Sequence, residues 1–154
     1  MSAADIRNYK KVDERLITGG QPTEDQLKSV AEEGFQDVVN LATEDPRYAL
    51  KDERGLVQSL GMTYHHIPVV WDNPKGEDLE KFEACMKDLD GRKVLVHCAA
   101  NYRVTAFYAL YALRNLGWTR EQAKAFIASM WQPEKYEAWA KFVGEHLGEG
   151  QPKT

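Results

Sequence analysis

The run KVLVHCAANYRVTAFYALYALRNL, residues 93–116, constrains this chain more than any other part of it. Its first five residues, KVLVH, are rich in β-branched and apolar side chains on consecutive positions, the pattern of a strand covered on both faces and so of a central strand in a parallel sheet. Its last thirteen, VTAFYALYALRNL, are apolar nearly all the way round, which predicts a helix buried on most sides. A strand, a tight loop and a buried helix in immediate succession form the central unit of an α/β fold.

The rest of the chain supplies what such a unit needs. Residues 12–18 read as a short strand closed by Gly19 and Gly20. Thr23 and Gln26 form a capping box, Leu27, Val30 and Ala31 give a helical stripe, and Gly34 stands where a C-terminal cap belongs. Residues 35–41 read as a second, buried strand, 49–60 as a helix ending at Gly61, and 62–70 as a third strand. The turn formers WDNPKG follow, then a helix over 77–89 with Leu79, Phe82, Met86 and Leu89 on one face. A helix capped by Thr119 with Gln122 and another over 133–147 complete the series. The prediction is a single α/β domain with a mainly parallel central sheet flanked by helices and a helical C-terminal portion, ordered over about residues 8–147. The arm before Asn8 and the tail GEGQPKT read as disordered.

Charge and cysteine content narrow the function. Twenty Lys and Arg against 24 Asp and Glu leave a net charge of −4, which supplies no general attraction for nucleic acid or an anionic membrane. An anionic ligand must then be captured by a local site. The apolar runs are too short to span a bilayer and the N-terminus lacks an apolar signal core, so a cytoplasmic protein is expected. Two cysteines, Cys85 and Cys98, fit neither a disulfide framework nor a structural zinc site. His65 and His66, adjacent on a strand, point to opposite faces and do not make a metal site. Trp118, Trp131 and Trp139, with Tyr136 and Phe142, read as packing between the terminal helices.

The chemistry concentrates where the central strand ends. In open parallel sheets ligands gather beyond the carboxyl ends of the strands, and there lie His97, Cys98, Ala99, Ala100, Asn101, Tyr102 and Arg103. A loop entering a helix N-terminus aims several backbone N–H groups at one point and makes an anion site. The same field favours the thiolate of Cys98, and Arg103 offers a bidentate fork to a tetrahedral oxyanion. Asn101 tolerates the left-handed conformation that a tight loop demands.

The stretch HCAANYRVT resembles the signature loop of the cysteine-dependent protein tyrosine and dual-specificity phosphatases, in which His, Cys, five residues, Arg and then Ser or Thr follow one another. ITGGQPTEDQL, VVNLATED, YHHIPVVWDNP and KVLVHC resemble, in order, elements of small bacterial phosphatase-like proteins, so the likeness covers about residues 12–145. It implies that Cys98 attacks phosphorus to form a phosphocysteine, and that Arg103 and the loop amides of Ala99, Ala100, Asn101 and Tyr102 hold the equatorial oxygens. It implies further that Asp72 protonates the leaving oxygen and later activates water, with Asp45 and Asp78 as weaker candidates, that His97 orients the loop and tunes the thiolate, and that Thr105 assists departure of the thiolate. No cofactor is implied, and the substrate is a phosphorylated protein or a small phosphomonoester. The loops over 44–51 and 71–76 would form the pocket walls, with Arg47, Lys51 and Lys75 adding positive charge.

One departure stands out: four residues, not five, separate Cys98 from Arg103, although Thr105 keeps its place seven after Cys98. Four is also the spacing common in rhodanese-type sulfurtransferases. Two alternatives therefore accompany the phosphatase reading, a rhodanese-like sulfurtransferase carrying a persulfide on Cys98 and a catalytically impaired phosphoryl-binding module. The carboxylate of the WDNP loop and the helical tail weigh toward the phosphatase. Gln132 reads as a loop residue before the last helix, and Cys85 as core on the apolar face of its helix, with redox partnership to Cys98 as the alternative.

Overall fold

A computed structural model describes residues 2–149. Five strands form one sheet: β1 (Lys10–Asp13), β2 (Leu16–Gly19), β3 (Asp37–Asn40), β4 (Thr63–His66) and β5 (Val94–His97), in the spatial order β1-β2-β5-β3-β4. The KVLVH run is the middle strand, as its composition requires. β2, β5, β3 and β4 run parallel, and only the edge strand β1 is antiparallel, to β2. The register sets Gly19 beside His97, His97 beside Asn40, and Asn40 beside His66. Four parallel strands therefore end level, and the loops that leave them share one edge.

Six α-helices cover the sheet: α1 (Glu24–Glu32), α2 (Glu53–Ser59), α3 (Gly76–Asp88), α4 (Tyr102–Asn115), α5 (Arg120–Ala128) and α6 (Glu137–Glu149). Alternation along the strands divides the core in two. Leu16, Val39, Val94 and Val96 face α3 to α6, whereas Ile17, Val38 and Leu95 face α1 and α2. α4 lies at the centre of the larger layer, with every residue from Arg103 to Leu113 buried. The capping boxes of Thr23 with Gln26 and of Thr119 with Gln122 are both formed.

Four expectations need correction. The single strand over 12–18 is a hairpin, turned at Glu14 and Arg15, because the Asp13 carboxylate accepts the Arg15 amide at 2.8 Å and bends the chain back. The helix over 49–60 begins only at Glu53, since Asp52 caps it through the Gly55 amide, and the strand over 62–70 ends at His66. Residues 2–7 of the arm before Asn8 are ordered. Ala3 and Ile6 are 1% and 3% exposed, the Ala3 amide donates to Glu33 at 2.8 Å, and Gln26 donates to the Asp5 carbonyl at 3.0 Å. Ile6 lies so close to β2 that a Cβ on Gly19 would meet its side chain at 2.6 Å. Of the tail expected to be disordered, Gly148 and Glu149 continue α6, and residues 150–154 lie outside the described residues.

No helix among the described residues is long and apolar enough to cross a membrane.

Candidate active site

Cys98 follows the last residue of β5, and the chain turns from it into α4 in three residues. Asn101 makes the turn in the left-handed region, at φ 68° and ψ 12°, and serves as the N-terminal cap of α4. The amide of Thr105 is the first to reach back, to the Asn101 carbonyl at 3.2 Å, so the amides of residues 101–104 have no acceptor within the helix. Unpaired amides at a helix N-terminus are the kind of arrangement that can bind an anion.

The loop is held from behind. Gln21 donates its backbone N–H to the Ala99 carbonyl at 3.0 Å, and Asn8 its side-chain amide to the Ala100 carbonyl at 2.9 Å. In return the Asn101 amide group donates to the Asn8 carbonyl at 2.8 Å and to Thr18 Oγ1 at 3.0 Å. With these two carbonyls drawn back toward β2 and the arm, the N–H groups are left to the other side. Contact is close enough that a Cβ on Gly20 would lie 2.5 Å from the Ala99 oxygen, which is why glycine stands there.

In front of the loop is a cavity of about 270 Å³. Cys98, Ala99, Ala100 and Arg103 line its inner end, Tyr48, Trp71 and Tyr102 give it aromatic walls, and Thr43, Asp45 and Arg47 complete it. Asp45, Arg47, Tyr48 and Trp71 come from the two loops expected to form the walls, whereas Tyr102 belongs to α4 and Thr43 precedes the first loop. The four-residue spacing does not turn Arg103 away: as the second residue of α4 it shares the cavity with Cys98, while Val104 goes fully into the core. The guanidinium donates to the Val69 carbonyl at 2.9 Å, reaches Tyr48 Oη at 3.5 Å, and lies 5.9 Å from the centre of the Trp71 ring. Its position is therefore fixed by groups of the protein itself.

His97 is fully buried beneath the loop, with Nδ1 3.2 Å from the Cys98 carbonyl and Nε2 2.5 Å from Glu53 Oε2. Glu53 also accepts from Gln21 Nε2 at 2.9 Å. Burial pushes the Glu53 carboxyl up, but the charge and hydrogen bond of His97 and the bond from Gln21 outweigh it and hold the group below its ordinary range. Glu53 was invisible to sequence reasoning. Its only mark is an acidic residue in the first turn of a helix, which many helices carry.

The other candidates are placed as follows. The Thr105 hydroxyl bonds to the Asn101 carbonyl at 2.8 Å and accepts from Trp131 Nε1 at 3.1 Å, within the first turn of α4. Asp72 is exposed in a groove on the other side of Trp71, with Tyr136 and Lys141, and does not line the cavity. The carboxylate that does is Asp45, and hydrogen bonds from the Arg47 side chain and backbone hold it down to about 2. Asp78 accepts from the Lys75 amide at the start of α3. Lys51 lines a neighbouring cavity, and Gln132 an outer cleft beside Tyr102.

Trp71 is the pivot of the loop that carries Asp72. Its ring centre lies 5.6 Å from Trp131, 5.4 Å from Trp139 and 5.1 Å from Tyr136, and its carbonyl accepts from Trp139 Nε1 at 2.6 Å. Tyr102 stacks on Trp131 with planes 2° apart. The aromatic residues near the C-terminus therefore grip the cavity wall as well as one another. Trp118 packs elsewhere, against Tyr108 and Phe126.

Cys85 is half-buried on α3, and burial pushes its thiol up to about 11, leaving it protonated at neutral pH. His65 and His66 go to separate partners, the Asp37 carboxylate and the Ala42 carbonyl.

Comparison with known proteins agrees with this architecture. Over 117 residues, 74% of the chain, the sequence is 28% identical to a beta-lactamase hydrolase-like protein of Xylella fastidiosa, of which it covers 27%. The chain thus spans about a quarter of the length of the curated relatives it matches. A crystal structure of a candidate phosphatase (DUF442) from Shewanella putrefaciens CN-32 superposes with a TM-score of 0.86 at 34% identity, over 96% of each chain. The active form of Tk-PTP shares the fold, with a TM-score of 0.75 at 22% identity over 92% of this chain and 97% of that one. Residues 1–140 match the family described as the DSP-PTPase phosphatase fused to NAD+ kinase, and on that match the chain belongs to this cysteine-phosphatase-like family.

Proposed function

We propose that the protein hydrolyses phosphomonoesters through a phosphocysteine on Cys98. The observation that carries this reading is that Cys98 and Arg103 share one cavity at the N-terminus of α4, despite the short spacing. In the first step the Cys98 thiolate attacks phosphorus and the bond to the leaving oxygen breaks. The fork of Arg103 and the amides at the start of α4 hold the three equatorial oxygens as their charge rises. Asp72 gives a proton to the leaving oxygen, then takes one from the water that cleaves the phosphocysteine. For this the loop after β4 turns about the anchored Trp71, bringing Asp72 from the outer groove to the cavity. Asp45 is unsuited to donate that proton at neutral pH, because Arg47 keeps it ionised. Walls of Tyr48, Trp71 and Tyr102 suit an aryl or otherwise apolar group beside the phosphoryl.

The test is release of nitrophenol from p-nitrophenyl phosphate by the wild type and by Cys98→Ser, across about pH 5 to 8. Turnover that vanishes with the thiol is the expected result. A folded wild type without turnover overturns it, and thiosulfate-to-cyanide transfer or tight phosphate binding would then identify a persulfide carrier or a binding module.

A further inference from the structure

Both ring nitrogens of His97 face oxygen. Nδ1 points at the Cys98 carbonyl, which can only accept, so Nδ1 carries a proton. Between Nε2 and Glu53 Oε2, 2.5 Å apart, lies one more proton, on the ring or on the carboxyl. The second carboxyl oxygen bears on which. Glu53 Oε1 accepts a hydrogen bond from Gln21 Nε2, and since a bond to a charged acceptor is the stronger one, this contact favours the ionised carboxylate. The pair is sealed, with side-chain exposures of 0% for His97 and 6% for Glu53; burial disfavours both charges, so it is the short contact between them and the Gln21 bond that hold the carboxylate ionised.

We propose that Glu53 is a positioning residue for the Cys98 loop: it keeps His97 doubly protonated, so that the imidazolium fixes the first peptide of the loop and sets a positive charge beneath the Cys98 thiol. Such a charge favours the thiolate, adding to the field of α4. The other groups facing the pair are His66 and Tyr64 from β4, with Arg54 of α2 over the Tyr64 ring. On the cavity side stand Arg103, Arg47 and Asp45. His66 is turned onto the Ala42 carbonyl, and the ionised Asp45 is ion-paired with Arg47. Glu53 is thus the carboxylate bonded directly to the histidine beneath Cys98.

The consequence for turnover rests on the reading of Cys98 as the nucleophile, but the thiolate itself is measured without any substrate. The rate of Cys98 alkylation by iodoacetamide is followed against pH in Cys85→Ser protein, with and without Glu53→Gln. The amide keeps the shape of the side chain and removes its charge. Loss of the imidazolium raises the midpoint by about one pH unit, which slows alkylation about tenfold on the acid side. A midpoint that stays or falls overturns the proposal. Should Glu53→Gln not fold, nitrogen NMR of the His97 ring in the wild type decides. Two protonated nitrogens at pH 7 support the assignment, and a neutral ring at that pH overturns it. A shifted alkylation midpoint in a protein that hydrolyses no phosphomonoester would leave this inference standing and the phosphatase reading refuted.

Discussion

Replacing Asn101 separates the two things that this residue does for the candidate active site. Its backbone occupies the left-handed region at φ 68°, where an ordinary L-residue is disfavoured by about 1 kcal/mol or more and asparagine by less. Its side-chain amide donates to the Asn8 carbonyl and to Thr18 Oγ1, and each lost bond in a buried setting costs about 1 kcal/mol. The amide oxygen of the same group is buried with no hydrogen-bond partner among the described residues, so removing it returns about 1 kcal/mol. For Asn101→Ala the sum is a destabilisation of about 2 kcal/mol. Asn101→Gly loses the same bonds without the conformational penalty and comes to about 1 kcal/mol. With an m-value of about 2 kcal/mol/M, urea unfolding should show midpoints lowered by about 1 M for alanine and about 0.5 M for glycine. Equal midpoints for the two variants would refute the assignment of left-handed strain. An alanine variant as stable as the wild type would refute the clasp between the arm and the loop.

Four further outcomes follow from the geometry. Gly20→Ala forces a Cβ against the Ala99 carbonyl at 2.5 Å, so it should lower kcat/KM for p-nitrophenyl phosphate by about tenfold or more, and unchanged kinetics would show that the loop yields freely. Asp72→Asn should lower kcat about 10²-fold. Asp45→Asn should leave the shape of the pH profile between about pH 5 and 8 unchanged, because a carboxyl held at about 2 does not titrate in the working range. Glu53 has a folded value below its unfolded 4.5, so its contribution to stability is complete above pH 4.5 and fades as the pH falls through the folded value. Urea unfolding of wild type and Glu53→Gln at pH 7 and pH 3.5 should show the gap between them narrowing in acid, and a constant gap would be the contrary result.

Much of this was legible in the chain because local and global preferences agree. KVLVH sits in the middle of the sheet and VTAFYALYALRNL is buried along its length, since no amphipathic alternative competes for either. Asn101 could be assigned its left-handed turn from residue type alone. The failures arise where a side chain overrides the pattern. The hairpin at Glu14 and Arg15 contains neither glycine nor proline and is made by the Asp13 carboxylate. The arm looks polar, but its few apolar residues, Ala3 and Ile6, are the ones that bury. At the site, the family resemblance implies Asp72 as the acid; Trp71 takes the cavity wall, and Asp72 stands in the outer groove, a placement that no local pattern encodes. Glu53 reaches His97 across 44 residues, and no local signal encodes such a contact.

The grip on Trp71 also gives the protein its own optical reporter. Of four tryptophans, three, Trp71, Trp131 and Trp139, lie within 5.6 Å of one another, close enough for their transitions to couple and to give a strong near-ultraviolet circular dichroism signal. The guanidinium of Arg103 lies 5.9 Å from one member of that triplet. An oxyanion that draws Arg103 forward, or a turn of the loop after β4, alters the emission of the triplet directly. Trp118, set apart against Tyr108 and Phe126, supplies a constant background. Ligand binding and loop motion can therefore be followed by intrinsic fluorescence, in real time and without a label.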